Sequence, residues 1–171
     1  MFFFYFLTKL YKFEFSFSTL HIIFYTMDQI SDIEEEISSM LNSLCPVIIT
    51  ITGIGDILGV SIFSEIGDIS RLEKSSQLVA YAGLDVAVKQ SGNFNTIDTN
   101  KISKRGSTYL RRAIWLDANV AVFKDPALSL CYQKLRQRGK AHGRAIGAVA
   151  RKLTNIILAV LRDNKAYIPN I

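Results

Sequence analysis

Between Ser31 and Leu44 the apolar positions Ile33, Ile37, Met40, Leu41 and Leu44 fall three and four residues apart, which predicts one amphipathic helix. Ser31 with Glu34 three residues on has capping-box spacing and predicts its start, and Pro46 predicts its end. A second helix is expected from Asp56 to Ile66, stopped by Gly67. The two are joined through Gly53-Ile54-Gly55, so helix, short glycine hairpin and helix follow in the order of a helix-hairpin-helix. A short helix from Ser75 to Ala82, capped by Ser75 and stopped by Gly83, comes next. Residues 84–102 then alternate weakly and are rich in Asn, Thr and Asp, which predicts an irregular or β-hairpin insert.

Three further helices complete the pattern. The first runs from about Ser107 to Phe123, with Leu110, Ile114, Trp115, Leu116, Val120 and Phe123 expected mainly inward. The second opens with Asp125 as cap and Pro126 at the first helical position, and closes at Gly139. The third spans about His142 to Asp163, burying Ile146, Val149, Leu153, Ile156, Ile157 and Val160 and leaving Arg144, Arg151 and Lys152 on its polar side. The expected fold class is therefore mainly α. The expected organisation is an extension at 1–26 outside the domain, a helical segment at 27–45, and a mainly helical domain at 46–168.

Composition narrows the classes. With 49% hydrophobic and 20% charged residues the chain is not intrinsically disordered. Cys45 and Cys131 lack CxxC context, which points to a reducing cytoplasm without a disulfide framework or zinc site. Residues 1–26 hold 8 of the 11 phenylalanines, but Lys9, Lys12, Glu14 and His21 interrupt the apolar run. No stretch approaches the ~20 apolar residues of a membrane span. The segment reads as a translated upstream stretch, with a structural segment and then a membrane peptide as alternatives.

Charge changes the picture most. Residues 27–100 carry 3 basic and 11 acidic side chains, whereas 101–152 carry 13 basic ones against Asp117 and Asp125. Such a block is either the footprint of a polyanion partner or a solvated helix surface. Gly53 and Gly55 could present amide groups to a phosphate, or simply make a tight connection between packed helices.

The segments ITGIG, SEIGDISRLEKSSQLVAYAGLD, KQSGNF, ISKRGSTYLRRAIW, YQKLRQRGK and AVARKL occur in that order. Together, from Ser43 to Tyr167, the chain resembles the C-terminal transposase domain of the insertion-sequence "one-ten" family, the DEDD-type transposases guided by a bridge RNA. The resemblance implies DNA transposition through a serine–DNA intermediate, and it makes 27–45 the remnant of an inter-domain linker helix and 46–168 the C-terminal transposase domain. It assigns the nucleophile to Ser91, followed by Gly92. It sets Lys101, Ser103, Lys104, Arg105, Arg111 and Arg112 beside the substrate backbone, with Ser103 and Ser107 as competing serines more suited to backbone contacts or caps.

Four metal-binding acidic residues belong, in the family, to an N-terminal RuvC-like domain. Glu34, Glu35, Glu36, Asp56, Glu65 and Asp68 do not fall on the alternating strands such a site requires. The expectation is therefore a truncated copy, not active alone, with no metal or other cofactor of its own and Mg expected only with the missing domain. Implied partners are DNA, a guide RNA and further copies of the chain, with no membrane. The alternative is a standalone helix-hairpin-helix module that binds nucleic acid without catalysis. Thr52 and Val86 stand where the family usually has proline, and 94–101 lacks the usual glycines.

Overall fold

The structure, a computed structural model, describes residues 2–86 and 102–169, with side chains from Ser16 onward. Its described helices are α1 (Phe2–Leu44), α2 (Asp56–Ile66), α3 (Ser75–Tyr81), α4 (Thr108–Lys124), α5 (Pro126–Gln137) and α6 (His142–Asp163). The fold is mainly α, and the described part of the insert contributes one isolated antiparallel bridge, Val86 to Ile102.

The chain divides into two compact units, 1–40 and 41–171. In the first, α1 runs without a break through Ser31, so the capping box expected there is not formed. The reason is local: no Gly or Pro occurs between residues 2 and 44, and a cap competes poorly where the helical ladder can simply continue. Thr26 illustrates this, its hydroxyl donating back to the carbonyls of Ile22 and Ile23 within the helix. No helix among the described residues is long and apolar enough to cross a membrane.

The second unit holds the core. Helix α6 packs against α3, α4 and α5, while α4 also packs against α2 and α5. Ile146, Val149, Leu153, Ile157 and Val160 of α6 are buried as the periodicity predicts. Helix α5 starts as expected: Asp125 accepts from the Leu128 amide at 2.8 Å, with Pro126 in the first turn. The cap of α3 moves by one residue, since Lys74 takes that position and its amide donates to the Gln77 side chain at 3.0 Å.

Helix α4 departs furthest from expectation. Leu116, Val120 and Phe123 are exposed, Phe123 to 84%, whereas Ala113, Asp117, Ala118, Ala121 and Val122 are buried. The alanine face lets neighbouring backbones come close, and Gly53 uses that space. Its φ is +106°, and a Cβ there would lie 3.0 Å from the Cβ of Ala121 and 3.1 Å from the Asp117 carbonyl oxygen. Large side chains on that face would push the Gly53 turn away.

Candidate nucleic-acid interface

Two segments distant in sequence are locked together at the foot of the insert. Helix α3 ends in a Schellman motif: Gly83, at φ +64°, donates to the Ala80 carbonyl at 2.9 Å, and Leu84 donates to Val79 at 3.0 Å. The segment 103–107 is then laid across this turn. Ser103 donates its amide to the Asp85 carbonyl at 2.8 Å, Lys104 to Gly83 at 3.1 Å, and Ser107 to Tyr81 at 2.7 Å. Gly106 is required by closeness: a Cβ on it would overlap the Tyr81 carbonyl oxygen and sit 2.7 Å from the Gly83 nitrogen.

Side chains complete the lock. The Ser103 hydroxyl donates to the Asp85 carboxylate. The Ser107 hydroxyl donates to Glu65 at 2.6 Å and accepts from the Leu110 amide at 3.1 Å, so it caps α4 and ties it to the end of α2. Both serines thus serve the local fold. With the bridge at Val86 and Ile102, the two ends of the insert leave this platform side by side and antiparallel.

The basic residues predicted here divide into two kinds. Arg111 is half-buried and donates to the Ala82 carbonyl and to the Thr108 hydroxyl, each at 3.2 Å, so its guanidinium is engaged within the fold. Lys104, Arg105 and Arg112 are exposed. Lys104 also occupies the left-handed region, φ 56°, uncommon for a residue with a Cβ. Beside them an apolar groove of about 290 Å³ is lined by Ile102, Thr108, Arg111, Arg112, Trp115 and Leu116. Ser91, Gly92 and Lys101 lie outside the described residues.

The Gly53–Gly55 turn looks different from its sequence reading. A 3-10 turn, Ile48–Thr50, stands between α1 and the glycines. Gly53 is occupied by its approach to α4, whereas Gly55 is exposed at the N-cap of α2 with open space where a Cβ would point. Gly55 thus presents its backbone to solvent at the start of α2.

Asp117 is the feature the sequence did not single out. It is fully buried on α4 and neither carboxylate oxygen has a hydrogen-bond partner. Burial alone pushes its pKa up to about 7, so near neutral pH it is only partly ionised. In the same unit Tyr167 is pushed up to about 12, chiefly by burial and further by the Asp125 carboxylate, while its amide donates to Thr50 at 2.9 Å. Among the described residues no three His, Cys, Asp or Glu side chains come together as metal ligands.

Comparison with known proteins matches this platform to a family. The model of the Transposase IS116/IS110/IS902 family covers residues 45–133, from the end of α1 into α5. The chain is 31% identical to the insertion element IS110 uncharacterized 43.6 kDa protein of Streptomyces coelicolor, over 79% of this chain and 33% of that protein. It is 32% identical to the pilin gene-inverting protein of Moraxella bovis, over 74% of this chain and 39% of the relative. It is also 32% identical to the transposase for insertion sequence element IS1111A of Coxiella burnetii, over 82% and 39%. The chain thus spans about a third of the length of these relatives. Since the family match covers more than half of its 171 residues, the chain belongs to the IS116/IS110/IS902 family of transposases.

Proposed function

We propose that this chain is the DNA-binding C-terminal domain of an insertion-sequence transposase. In this reading the phosphate backbone runs along Lys104, Arg105 and Arg112, with the amide of Gly55 as a further contact. Ser91 is the nucleophile: its hydroxyl attacks a DNA phosphate, gives its proton to a base of the RuvC-like domain, and displaces one deoxyribose oxygen as a free hydroxyl end, leaving a serine–DNA phosphodiester. A guide RNA and a second copy of the chain are further partners under the same reading. The observation that carries it is the division of labour in 102–112. Ser103, Ser107 and Arg111 are spent on fixing the foot of the insert, and the neighbouring cations are left in solvent. A surface held this rigidly, with its charges outward, suits a polyanion whose bound counterions it displaces. The relatives' printed names, a transposase and a gene-inverting protein, support DNA as that polyanion.

The test is fluorescence anisotropy with a 30-base-pair duplex across a salt series. Binding is expected at about 1–100 µM near physiological salt and to weaken steeply as salt rises. Replacing Lys104, Arg105 and Arg112 by alanine is expected to lower the slope of log Kd against log salt by up to about 3. Absence of duplex binding even at low salt would refute the proposal. Ser91→Ala is expected to leave binding unchanged and to remove strand transfer when a RuvC-like domain is supplied. Indifference in both assays would favour a binding module without catalysis.

A further inference from the structure

A second group of cations lies beyond the platform. Residues 126–162 contain no Asp or Glu and eight Lys or Arg. Five of them, Lys134, Arg136, Arg138, Lys140 and Arg144, crowd the elbow between α5 and α6, and all five are exposed. Among the described residues none of the five is in an ion pair. The elbow itself is well ordered by its own hydrogen bonds. Gly139, at φ +76°, donates to the Arg136 carbonyl at 2.9 Å, and Lys140 donates to Leu135 at 3.1 Å, closing a Schellman motif. Arg136 donates a guanidinium hydrogen to the Lys140 carbonyl at 2.6 Å, and the Tyr132 hydroxyl is hydrogen-bonded to His142 Nδ1 at 2.8 Å.

Like charges concentrated in eleven residues, 134–144, repel one another, and among the described residues no side-chain hydrogen bond or ion pair of Lys134, Arg138, Lys140 or Arg144 offsets that cost. A surface that keeps uncompensated cations on a fixed scaffold is matched by a ligand with regularly spaced anions. The elbow and the platform are carried by helices that pack on each other. The Trp115 ring of α4 lies 3.5 Å from where a Gly147 Cβ would stand on α6. Thr108 and His142, the first residues of those helices, are each within about two helical turns of that contact, roughly 10 Å along each axis.

We propose that the α5–α6 elbow is a second phosphate-contact surface for duplex DNA, extending the basic surface of Lys104, Arg105 and Arg112. The inference rests on the DNA-binding reading above and adds a site to it. Duplex DNA is favoured over single-stranded or looped RNA because splayed bases stack best on free aromatic faces, His included. The elbow segment 133–144 has no Phe, Tyr or Trp, and its one aromatic ring, His142, is hydrogen-bonded and packed edge-to-face with the half-buried Tyr132. What it offers is charge, which reads backbone.

The experiment uses the full chain and the same duplex, with an RNA hairpin as a second probe. A quadruple variant, Lys134→Gln, Arg138→Gln, Lys140→Gln and Arg144→Gln, is compared with a control that removes four exposed charges elsewhere (Lys74, Lys124, Lys152 and Lys165, each to Gln). The elbow variant is expected to weaken duplex binding on the order of tenfold or more at 100 mM salt. Its salt slope should fall by about 3, while the control changes both far less. Elbow and control variants behaving alike, or a loss confined to the RNA hairpin, would overturn the proposal. Failure of the wild-type chain to bind either probe would instead refute the underlying reading. As a measurement independent of the variants' folding, acetylation of Lys134 and Lys140 in the wild-type chain should be slowed by duplex DNA. Unchanged acetylation beside measurable binding would also overturn the site.

Discussion

The platform at 102–112 and the elbow at 134–144 are both basic stretches, yet the fold uses them in opposite ways. In the platform, polar groups are drawn inward: Arg111 reaches the Ala82 carbonyl, Ser107 bridges Glu65 and α4, and Gly106 lies against the backbone of Tyr81. At the elbow, backbone hydrogen bonds close the turn, only Arg136 joins them, and the remaining cations stay in solvent. Basic residues in one stretch are therefore partly mortar, and in the other almost wholly surface. A charge count along the chain treats the two as equal.

Glycine substitutions should separate them most sharply. Gly106→Ala forces a methyl group into the Tyr81 carbonyl, which neither backbone can yield without breaking the lock, and is expected to cost about 5 kcal/mol. Gly139→Ala meets open space and bears only the left-handed φ, with an expected loss of about 1 kcal/mol. Urea melts of both variants check this, and comparable midpoints would mean that the Gly106 contact yields easily.

A pH series then probes the core beneath the platform. The folded pKa of Asp117 is raised from 3.8 to about 7, so between these values the folded state holds a proton that the unfolded state has released. Stability from this group is intact below about pH 4, falls as pH rises to about 7, and levels off above. The full effect is up to roughly 4 kcal/mol, since each unit is worth about 1.4 kcal/mol. Asp117→Asn should flatten the difference between melts at pH 5 and pH 7.5, whereas parallel profiles for variant and wild type would show that Asp117 is not the titrating group. Smallest is the arginine pair: Arg111→Ala is expected to cost about 1–2 kcal/mol through its two hydrogen bonds, and Arg138→Ala less than about 0.5. Equal thermal midpoints for the two variants would erase the distinction between mortar and surface.

Much of this molecule is determined by the sequence alone. The ends of α2, α4 and α5 follow from local signals: Gly67 after Ile66, the Ser107 and Asp125 caps, Pro126 in the first turn, and Gly139 closing the elbow. These work because a cap or a left-handed turn needs only its immediate neighbours. The basic block, too, is a property of composition. Ser31 marks the limit of such signals, because α1 is extended by favourable residues on both sides and the cap is overridden.

Tertiary structure decided what needs a partner from elsewhere in the chain. It turned the alanine face of α4 inward although Leu116, Val120 and Phe123 are more hydrophobic, because α2 and the Gly53 turn require close approach and small side chains permit it. It left Asp117 buried without a hydrogen-bond partner on that same face. It also chose which cations are consumed, since Arg111 finds a carbonyl 29 residues away and the elbow lysine side chains find none among the described residues. Periodicity ranks residues by their own transfer free energy, whereas burial in a packed core is settled by shape and by the contacts across it.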